Sequence, residues 1–337
     1  MTGARPSAAL QPPADTRRIG RIRSETISTA AIFALTIILI LASRFVSPAL
    51  GSWDQVDTII TLASFLIVVA FGQGLVILVG GLDLSIASMI TLGGVLATTW
   101  NGSLGSEWVL IPAVLLTCAC VGALNAVGVI WLNIPPFIMT MASGIMVASA
   151  ALGYTSGTPR GAAPDVFLAL MKGSVGSVSA VLIFVLIFVL LAWGLQSATA
   201  FGRRLYAVGA NREAARIAGV TTWRPIMAAY AISAICAGFA GMMLVGYANG
   251  ATLRMGDSYL LPSIASVVIG GSSILGGRGS FAATVGGAIL LTTLGTVISA
   301  LGMDQGWRTV IEGAIIVGAL LILREDLVAR LRNRSAG

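Results

Sequence analysis

Histidine is absent from this chain of 337 residues, and charged residues make up only 10% of it. Without histidine, the chain lacks the commonest metal ligand and the commonest general base. Soluble domains carry about 25% charged residues, and a chain with far fewer cannot cover a water-facing surface. The composition therefore excludes an ordinary soluble globular protein.

Lysine occurs once, as Lys172 in the sequence MKGS. The phosphate-binding loop of many ATPases needs Gly-Lys-Ser/Thr, in which the lysine contacts the phosphates. No glycine precedes Lys172, so the sequence excludes an ATPase site of this kind. We predict a chain that is not an enzyme and binds no cofactor of its own.

Few other residues could ligate a metal, transfer a proton or act as a nucleophile. Cys118, Cys120 and Cys236 all lie in apolar runs, where packing explains them better than metal ligation does. Of thirteen acidic residues, only Glu312 lies clearly inside a predicted helical span, and Arg308 is spaced to pair with it. Proton-coupled carriers place ionisable residues deep in the membrane. The sequence therefore disfavours a secondary transporter, and it offers no nucleophile–base pair for a membrane enzyme.

Long apolar runs are what the chain has in abundance. Hydrophobic residues make up 57% of it, and runs of about 18–22 residues recur, the length that an α-helix needs to cross a bilayer. The runs are continuous rather than alternating, which predicts helices and not a β-barrel. We predict an all-α membrane protein, a polytopic bundle of about ten transmembrane helices. The predicted spans are 27–47, 57–79, 83–100, 108–132, 136–154, 176–197, 225–248, 258–275, 279–300 and 308–324.

Basic residues predict the orientation of the bundle. With the N-terminus inside, fifteen arginines face the cytoplasm and five basic residues face outward, which satisfies the positive-inside rule. Residues 1–26 are then a disordered cytoplasmic tail, 27–324 the transmembrane domain and 325–337 a basic cytoplasmic tail. The net charge of +7 reflects this asymmetry, because no basic module interleaved with aromatics predicts nucleic-acid binding.

A long polar loop, residues 198–224, joins the sixth and seventh spans. Asn211 is a good helix N-cap, and Glu213 in the first turn suits the positive end of the helix dipole. Gly219 supplies a stop. The sequence predicts a short surface helix over 211–219, which either receives force from a soluble partner or merely joins two spans.

This loop carries a resemblance to a known family. Glu213, Ala214, Ala215 and Gly219 reproduce the EAA-x3-G motif of ATP-binding-cassette (ABC) importer permeases, and the surrounding GRRLYAVGANREAARIAGV is similar to the loop of permeases for ribose, xylose and related monosaccharides. The stretches GQGLVILVGGLDLSIAS, GALNAVGVIWLNIPPFIMT and VVIGGSSILGGRGS resemble the same family, in the same order, over residues 57–324.

The resemblance implies a type II-like importer permease in the bacterial cytoplasmic (inner) membrane. It implies a cytoplasmic ABC ATPase subunit that carries ATP and Mg²⁺, an extracytoplasmic sugar-binding protein, and a second permease copy or a related permease. The residues expected to couple to the ATPase are Gly202, Arg203, Arg204, Asn211, Glu213, Ala214, Ala215 and Gly219. The alternative substrate is a branched-chain amino acid, which a sister family carries, or another small polar solute.

Two glycine-rich junctions, residues 80–85 and 275–280, weakly resemble each other. In the first, Asp83 either caps the following helix or, with its neighbours, lines or gates the pathway as broken helices do in transporters. Asn125 bonds either a neighbouring helix or a sugar hydroxyl. The candidate pathway or gate residues are Gly80, Gly81, Asp83, Ser85, Asn125, Gly276 and Gly277.

Overall fold

A computed structural model describes residues 14–45, 52–304, 306–307, 309–311, 313–314 and 317–318, with side chains from Thr29 onward. The described part is mostly helical and has almost no sheet, which confirms the predicted all-α class. The helices are α1 (Ala14–Ser43), α2 (Trp53–Leu78), α3 (Ile86–Trp100), α4 (Glu107–Ile130), α5 (Pro136–Tyr154), α6 (Asp165–Lys172), α7 (Ala180–Ser197), α8 (Ala200–Ala210), α9 (Arg212–Ile217), α10 (Trp223–Ala248), α11 (Asp257–Ile269) and α12 (Phe281–Ala300). A two-stranded hairpin, β1 (Ser174–Val175) and β2 (Val178–Ser179), precedes α7.

Six of these helices are long and apolar enough to cross a membrane: α2, α4, α5, α7, α10 and α12. Three more apolar helices are shorter, namely the stretch of α1 from Thr29 to Ser43, α3 and α11. The predicted span at 308–324 lies partly outside the described residues, and the predicted C-terminal tail lies wholly outside them.

The long helix α10 is the centre of the bundle. It packs against α2, α3, α4 and α6, while α12 packs against α1, α2 and α11. Small residues allow the close approach: a Cβ added to Gly122 of α4 would lie 2.4 Å from the Tyr230 carbonyl oxygen, and one on Gly93 of α3 would lie 2.2 Å from that of Gly238. These glycines pack the helices closely, as expected for helix association in lipid.

Several elements differ from the sequence prediction, among them α1, α11 and α6. Helix α1 begins at Ala14, so a disordered tail was wrong for residues 14–26; this stretch contains good helix formers and runs unbroken into the apolar segment. Helix α11 stops at Ile269 instead of 275, because Gly271 takes φ 78° and ends the helix. Helix α6 was missed because it has eight residues; it buries Phe167 and Met171 and packs on α10.

Candidate coupling site

The loop between α7 and α10 consists of two helices and not one. The Asn211 side chain accepts a hydrogen bond from the Ala214 N–H (2.9 Å), which confirms the predicted cap of α9. The helix before it, α8, was not predicted, although Thr199 caps it by accepting from the Gly202 N–H (3.2 Å). The sequence signal for that start was weak, because it was only a threonine, a residue type favoured at the N-cap.

Helix α9 presents a polar outer face and one buried contact. Ala215 is buried, whereas the Ile217 side chain is 77% exposed. Glu213 and Arg216 form an exposed ion pair with an N–O distance of 2.6 Å. The hydrogen bond from Arg216 lowers the pKa of Glu213 from its ordinary value. The α9 surface therefore offers an ionised pair and an unpartnered apolar side chain to whatever binds it.

Gly219 ends α9 in a left-handed turn. Its φ is 81°, its N–H bonds to the Arg216 carbonyl (3.0 Å), and the Val220 N–H bonds to that of Ala215 (2.9 Å). This pair of bonds is the Schellman motif, in which glycine is favoured because it has no Cβ. The last position of the EAA-x3-G pattern is thus explained by backbone geometry.

Helix α8 sits directly on both glycine-rich junctions. A Cβ added to Gly209 would lie 1.7 Å from the Leu78 carbonyl oxygen and 2.6 Å from the Gly277 nitrogen. The Gly277 N–H in turn donates to the Leu78 carbonyl (2.9 Å). A Cβ on Gly276 would lie 2.9 Å from the Gly80 nitrogen and 3.0 Å from the Gly209 carbonyl oxygen. Three segments far apart in sequence therefore meet backbone to backbone, because each has a glycine at the contact.

A short hydrogen-bonded chain holds α8 to the second junction. The Gln196 side-chain amide at the end of α7 donates to the Tyr206 hydroxyl (2.9 Å). That hydroxyl donates to the Gly279 carbonyl (2.7 Å). Displacement of α8 must break these bonds or carry the 275–280 junction with it.

Asp83 is the buried polar centre of the first junction. Its Oδ1 accepts from the Ser85 N–H (3.0 Å) and hydroxyl (2.5 Å), and its Oδ2 accepts from the Ser233 hydroxyl of α10 (2.8 Å). Ser85, not Asp83, is the residue at the N-cap of α3, so the capping interpretation was wrong. The carboxyl group instead accepts hydrogen bonds from buried donors on two segments, as a buried polar group requires.

Two further bonds tie this junction to α4 and α5. The Asn125 amide of α4, which is buried, donates to the Ser85 hydroxyl (3.1 Å), a bond between two helices. The Leu84 N–H donates to the Thr140 hydroxyl of α5 (2.9 Å). Residues 80–85 are thus held by α4, α5 and α10, and Gly80 also contacts Gly276, so this non-helical backbone is surrounded by protein.

The ends of α2 and α11 have the same conformation. Gly80 (φ 80°) donates to Ile77 and Gly81 to Val76, while Gly271 (φ 78°) donates to Val268 and Ser272 to Val267. Both are Schellman turns. Gly271 thus ends α11 as Gly80 ends α2, and the 275–280 junction follows Gly271 by a few residues.

Residues 55–320 match the model of a family described as the permease component of branched-chain amino acid transport systems. The match covers well over half of the chain.

The chain belongs to this family.

Curated relatives of the permease include the galactose/methyl galactoside import permease protein MglC of Escherichia coli K12. It is 30% identical over 315 residues, which cover 86% of the present chain and 92% of MglC. The ribose import permease protein RbsC of Haemophilus influenzae is 28% identical over 308 residues, covering 90% and 94% of the two chains. RbsC of E. coli K12 is 29% identical over 297 residues, covering 87% and 92%. No solved structure matches the permease significantly.

The permease brings most of its sequence-predicted residues into one connected region. Gly202 packs against the end of α7, Arg203 and Arg204 are exposed on α8, and Gly80 touches Gly276. Sequence analysis missed Gln196, Tyr206, Gly209, Thr140 and Ser233, whose contacts connect the helices. A glycine inside the polar loop, Gly209, was the available signal, since glycine in a helix interior often marks close backbone approach.

Proposed function

We propose that this permease is the membrane-spanning subunit of an ABC importer that moves a monosaccharide. The sugar is delivered by an extracytoplasmic binding protein, and ATP is hydrolysed on a separate subunit. The names of the relatives, which import galactose, methyl galactoside and ribose, support the sugar class. The observation that carries the mechanism is the seating of α8 on both glycine-rich junctions through Gly209.

The partner ATPase docks on α9 and the surface around it. Ile217 is 77% exposed, and Leu275, on the neighbouring junction, is 88% exposed. Arg203 and Arg204 add positive charge on α8. Apolar side chains framed by charge are typical of a surface that a protein partner covers.

Movement of α9 passes through α8 to the end of α2 and to the 275–280 junction. Gly209 and Leu78 cannot approach each other further, because their backbones are already in contact. The Gln196–Tyr206–Gly279 chain adds a second connection. ATP-driven approach of two ATPase subunits then moves both junctions together and alternates the pathway between outward and inward openings.

The orientation follows from this assignment. With α9 cytoplasmic, both termini lie in the cytoplasm of the bacterial cell, and α6 and the β1–β2 hairpin face outward. A second permease chain, identical or related, completes the pathway. Sugar selection resides mainly in the binding protein that delivers the solute.

A branched-chain amino acid is the second candidate substrate, because the family description names that class. The ligand of the associated binding protein separates the two. Isothermal titration with ribose, galactose, xylose and the branched-chain amino acids decides it, and binding of leucine or isoleucine alone would overturn the sugar assignment.

Purification in mild detergent tests the partner. An ATP-hydrolysing subunit is expected to co-purify with the wild-type permease and to be lost from Ile217→Asp and from the double variant Arg203→Glu/Arg204→Glu. The matched control is Val175→Asp, which changes a 67% exposed apolar residue of the hairpin at the other end of α7. A permease that purifies alone and still moves sugar in vesicles would contradict the proposal.

A further inference from the structure

Trp131 and Trp223 form an exposed aromatic pair where α4 ends and α10 begins. Their ring centroids are 5.9 Å apart, and the two rings are tilted by 42°. Trp131 is 55% exposed and Trp223 is 40% exposed, although indole rings are among the largest apolar groups that a protein can bury. Leu132, which follows Trp131, is exposed as well. The pair therefore presents a contiguous apolar surface that the described chain leaves uncovered.

Arg224 adds a positive charge to this surface. Its guanidinium carbon lies over the Trp223 ring, 5.4 Å from the ring centre, which is within the range of a cation–π contact. Arg224 is exposed, and no acidic side chain pairs with it among the residues that the structure describes. Because Trp223 contacts both the Trp131 ring and the guanidinium, the three side chains lie together, and we call them the tryptophan–arginine patch.

The length of α4 sets the depth of this patch in a membrane. Trp108 lies in the first turn of α4 and Trp131 caps its other end, so roughly 35 Å of helix separates the two residues. The hydrocarbon core of a bilayer is about 30 Å thick, and the headgroup regions bring the total to about 40–45 Å. Trp108 and Trp131 therefore lie at opposite headgroup levels, where tryptophan is enriched in membrane proteins. The patch lies at the depth of lipid phosphate groups.

The indole N–H groups of the patch are free to donate at this depth. The Nε1 of Trp100 donates to the Tyr154 hydroxyl (3.1 Å), whereas those of Trp131 and Trp223 donate to no described residue. Tryptophan is favoured where one end of the ring meets an apolar phase and the N–H meets a wet one. A lipid satisfies both ends, because its headgroup oxygens accept hydrogen bonds and its acyl chains cover the exposed rings.

The charge around the patch favours a lipid with a net negative charge. Residues 198–224 contain five arginines and a single acidic residue, Glu213, which pairs with Arg216. Arginine binds phosphate oxygens through its N–H groups, and basic residues near the membrane surface attract anionic headgroups. Arg224 is the arginine of this segment that stacks on the aromatic pair, so its charge lies where a headgroup would sit.

We propose that the tryptophan–arginine patch binds the headgroup of an anionic phospholipid, in the leaflet on the side of α9. Arg224 contacts the phosphate, and the two indole rings pack against the glycerol and the first methylene groups of the chains. Trp131 caps α4 and Trp223 begins α10, so a bound lipid joins the ends of two helices that pack against each other. Binding therefore stabilises the fold, and it depends neither on the transported solute nor on the ATPase.

Lipid binding is tested on the full-length permease, purified in mild detergent and freed of phospholipid. The thermal unfolding midpoint is measured with short-chain phosphatidylglycerol, with phosphatidylcholine of the same chains, and with inorganic phosphate, all at equal ionic strength. We expect a saturable rise with phosphatidylglycerol, a smaller rise with phosphatidylcholine and none with inorganic phosphate. Equal rises with the two lipids, or a rise with inorganic phosphate equal to that with phosphatidylglycerol, would overturn the proposal.

Variants locate the site. Arg224→Gln removes the charge and is expected to weaken phosphatidylglycerol binding about fivefold, while phosphatidylcholine binds as to the wild type. Trp131→Ala removes a ring that packs on either lipid and is expected to weaken both. The matched control is Arg160→Gln, which changes an exposed arginine that has no described aromatic ring beside it and should bind both lipids like wild type. Unchanged phosphatidylglycerol affinity in Arg224→Gln, or an equal loss in Arg160→Gln, would overturn the site.

Fluorescence locates the lipid independently of stability. Phosphatidylglycerol that carries bromine on its acyl chains quenches tryptophan rings that it contacts, and an excess of unlabelled phosphatidylcholine should reverse only the unselective part of this quenching. The remaining part is expected to disappear in the double variant Trp131→Phe/Trp223→Phe. Quenching of the same extent in that variant would place the bound lipid elsewhere and contradict the proposal.

The partner ATPase is the other macromolecule that could cover the patch. Co-purification of the ATPase with Arg224→Gln in lipid-free detergent separates the two, and wild-type association is expected. If this variant lost the ATPase and bound phosphatidylglycerol like wild type, the patch would belong to the protein interface and the lipid proposal would be wrong.

Discussion

Gly209 shows how one missing methyl group determines a contact between distant segments. A Cβ at this position would lie 1.7 Å from the Leu78 carbonyl oxygen, a clash with backbone that side-chain rotation cannot relieve. Gly209→Ala is therefore expected to destabilise the permease by about 1–3 kcal/mol through overpacking. It should also reduce sugar uptake more than it reduces the amount of protein in the membrane. Thermal unfolding in detergent and uptake per molecule measure the two effects.

Gly194→Ala in α7 is the matched control, because a Cβ there meets no described atom within 4 Å. It should unfold at the wild-type temperature or slightly above it, since alanine favours helix over glycine. If Gly209→Ala and Gly194→Ala had the same unfolding temperature and the same uptake per molecule, the close contact of α8 with Leu78 would not constrain the permease.

A substitution of Ser233 tests the hydrogen bonding of Asp83, the buried polar centre of the first junction. Its hydroxyl is the donor from α10 to Asp83. Ser233→Ala removes a hydrogen bond to the buried Asp83 carboxyl group and should cost about 1–3 kcal/mol. Ser143→Ala, also buried, removes a bond within its own helix, to the Thr140 carbonyl, and should cost less. Chemical denaturation of both variants compares them; a larger loss for Ser143→Ala would contradict the role given to Asp83.

Among the helices, α9 is one whose end depends on backbone conformation alone. Gly219 has φ 81°, and a Cβ there would meet open space. Gly219→Asn should keep near-wild-type ATPase association, since asparagine tolerates this region, whereas Gly219→Val should unwind the turn at a cost of about 1–2 kcal/mol or more. Co-purified ATPase activity is the measurement. Similar losses for both would mean that the glycine is needed for contact with the partner.

The ion pair of α9 predicts that ATPase association does not change with pH near neutrality. The pKa of Glu213 is lowered by Arg216, so its contribution is complete above the ordinary carboxylate pKa and is lost only as the pH falls through the lowered value. ATPase association is therefore expected to be constant between pH 6 and 8. If ATPase association weakened between pH 6 and 8 in the wild type, and to the same extent in Glu213→Gln, the titrating group would be a residue other than Glu213.

Local sequence signals predicted some elements and not others. Asn211 and Gly219 bounded α9 correctly because caps act over a few residues. The prediction extended α11 to 275, because the apolar run continues past Gly271, whose positive φ ends the helix. The contact of Gly209 with Leu78 was not predictable, since it joins positions more than a hundred residues apart and depends on packing.

At the scale of the whole molecule, hydropathy predicted the class and the order of spans, because lipid leaves the chain few alternatives to the helix. The orientation remains a prediction that cysteine labelling can test. In a variant whose three native cysteines are replaced by alanine or serine, Gly176→Cys on the hairpin should react with a membrane-impermeant maleimide in intact spheroplasts. Ala218→Cys beside α9 should react only after lysis. The reverse pattern would invert the bundle.

Helices α3 and α11 are short for a membrane. With 15 and 13 residues they extend over roughly 22 and 20 Å, against about 30 Å of hydrocarbon in a typical bilayer. The remaining depth at one end of each is occupied by glycine-rich backbone packed against protein. Glycine-rich, non-helical backbone therefore replaces helix over roughly a third of the membrane depth beside α3 and α11, and it can do so because neighbouring protein covers it.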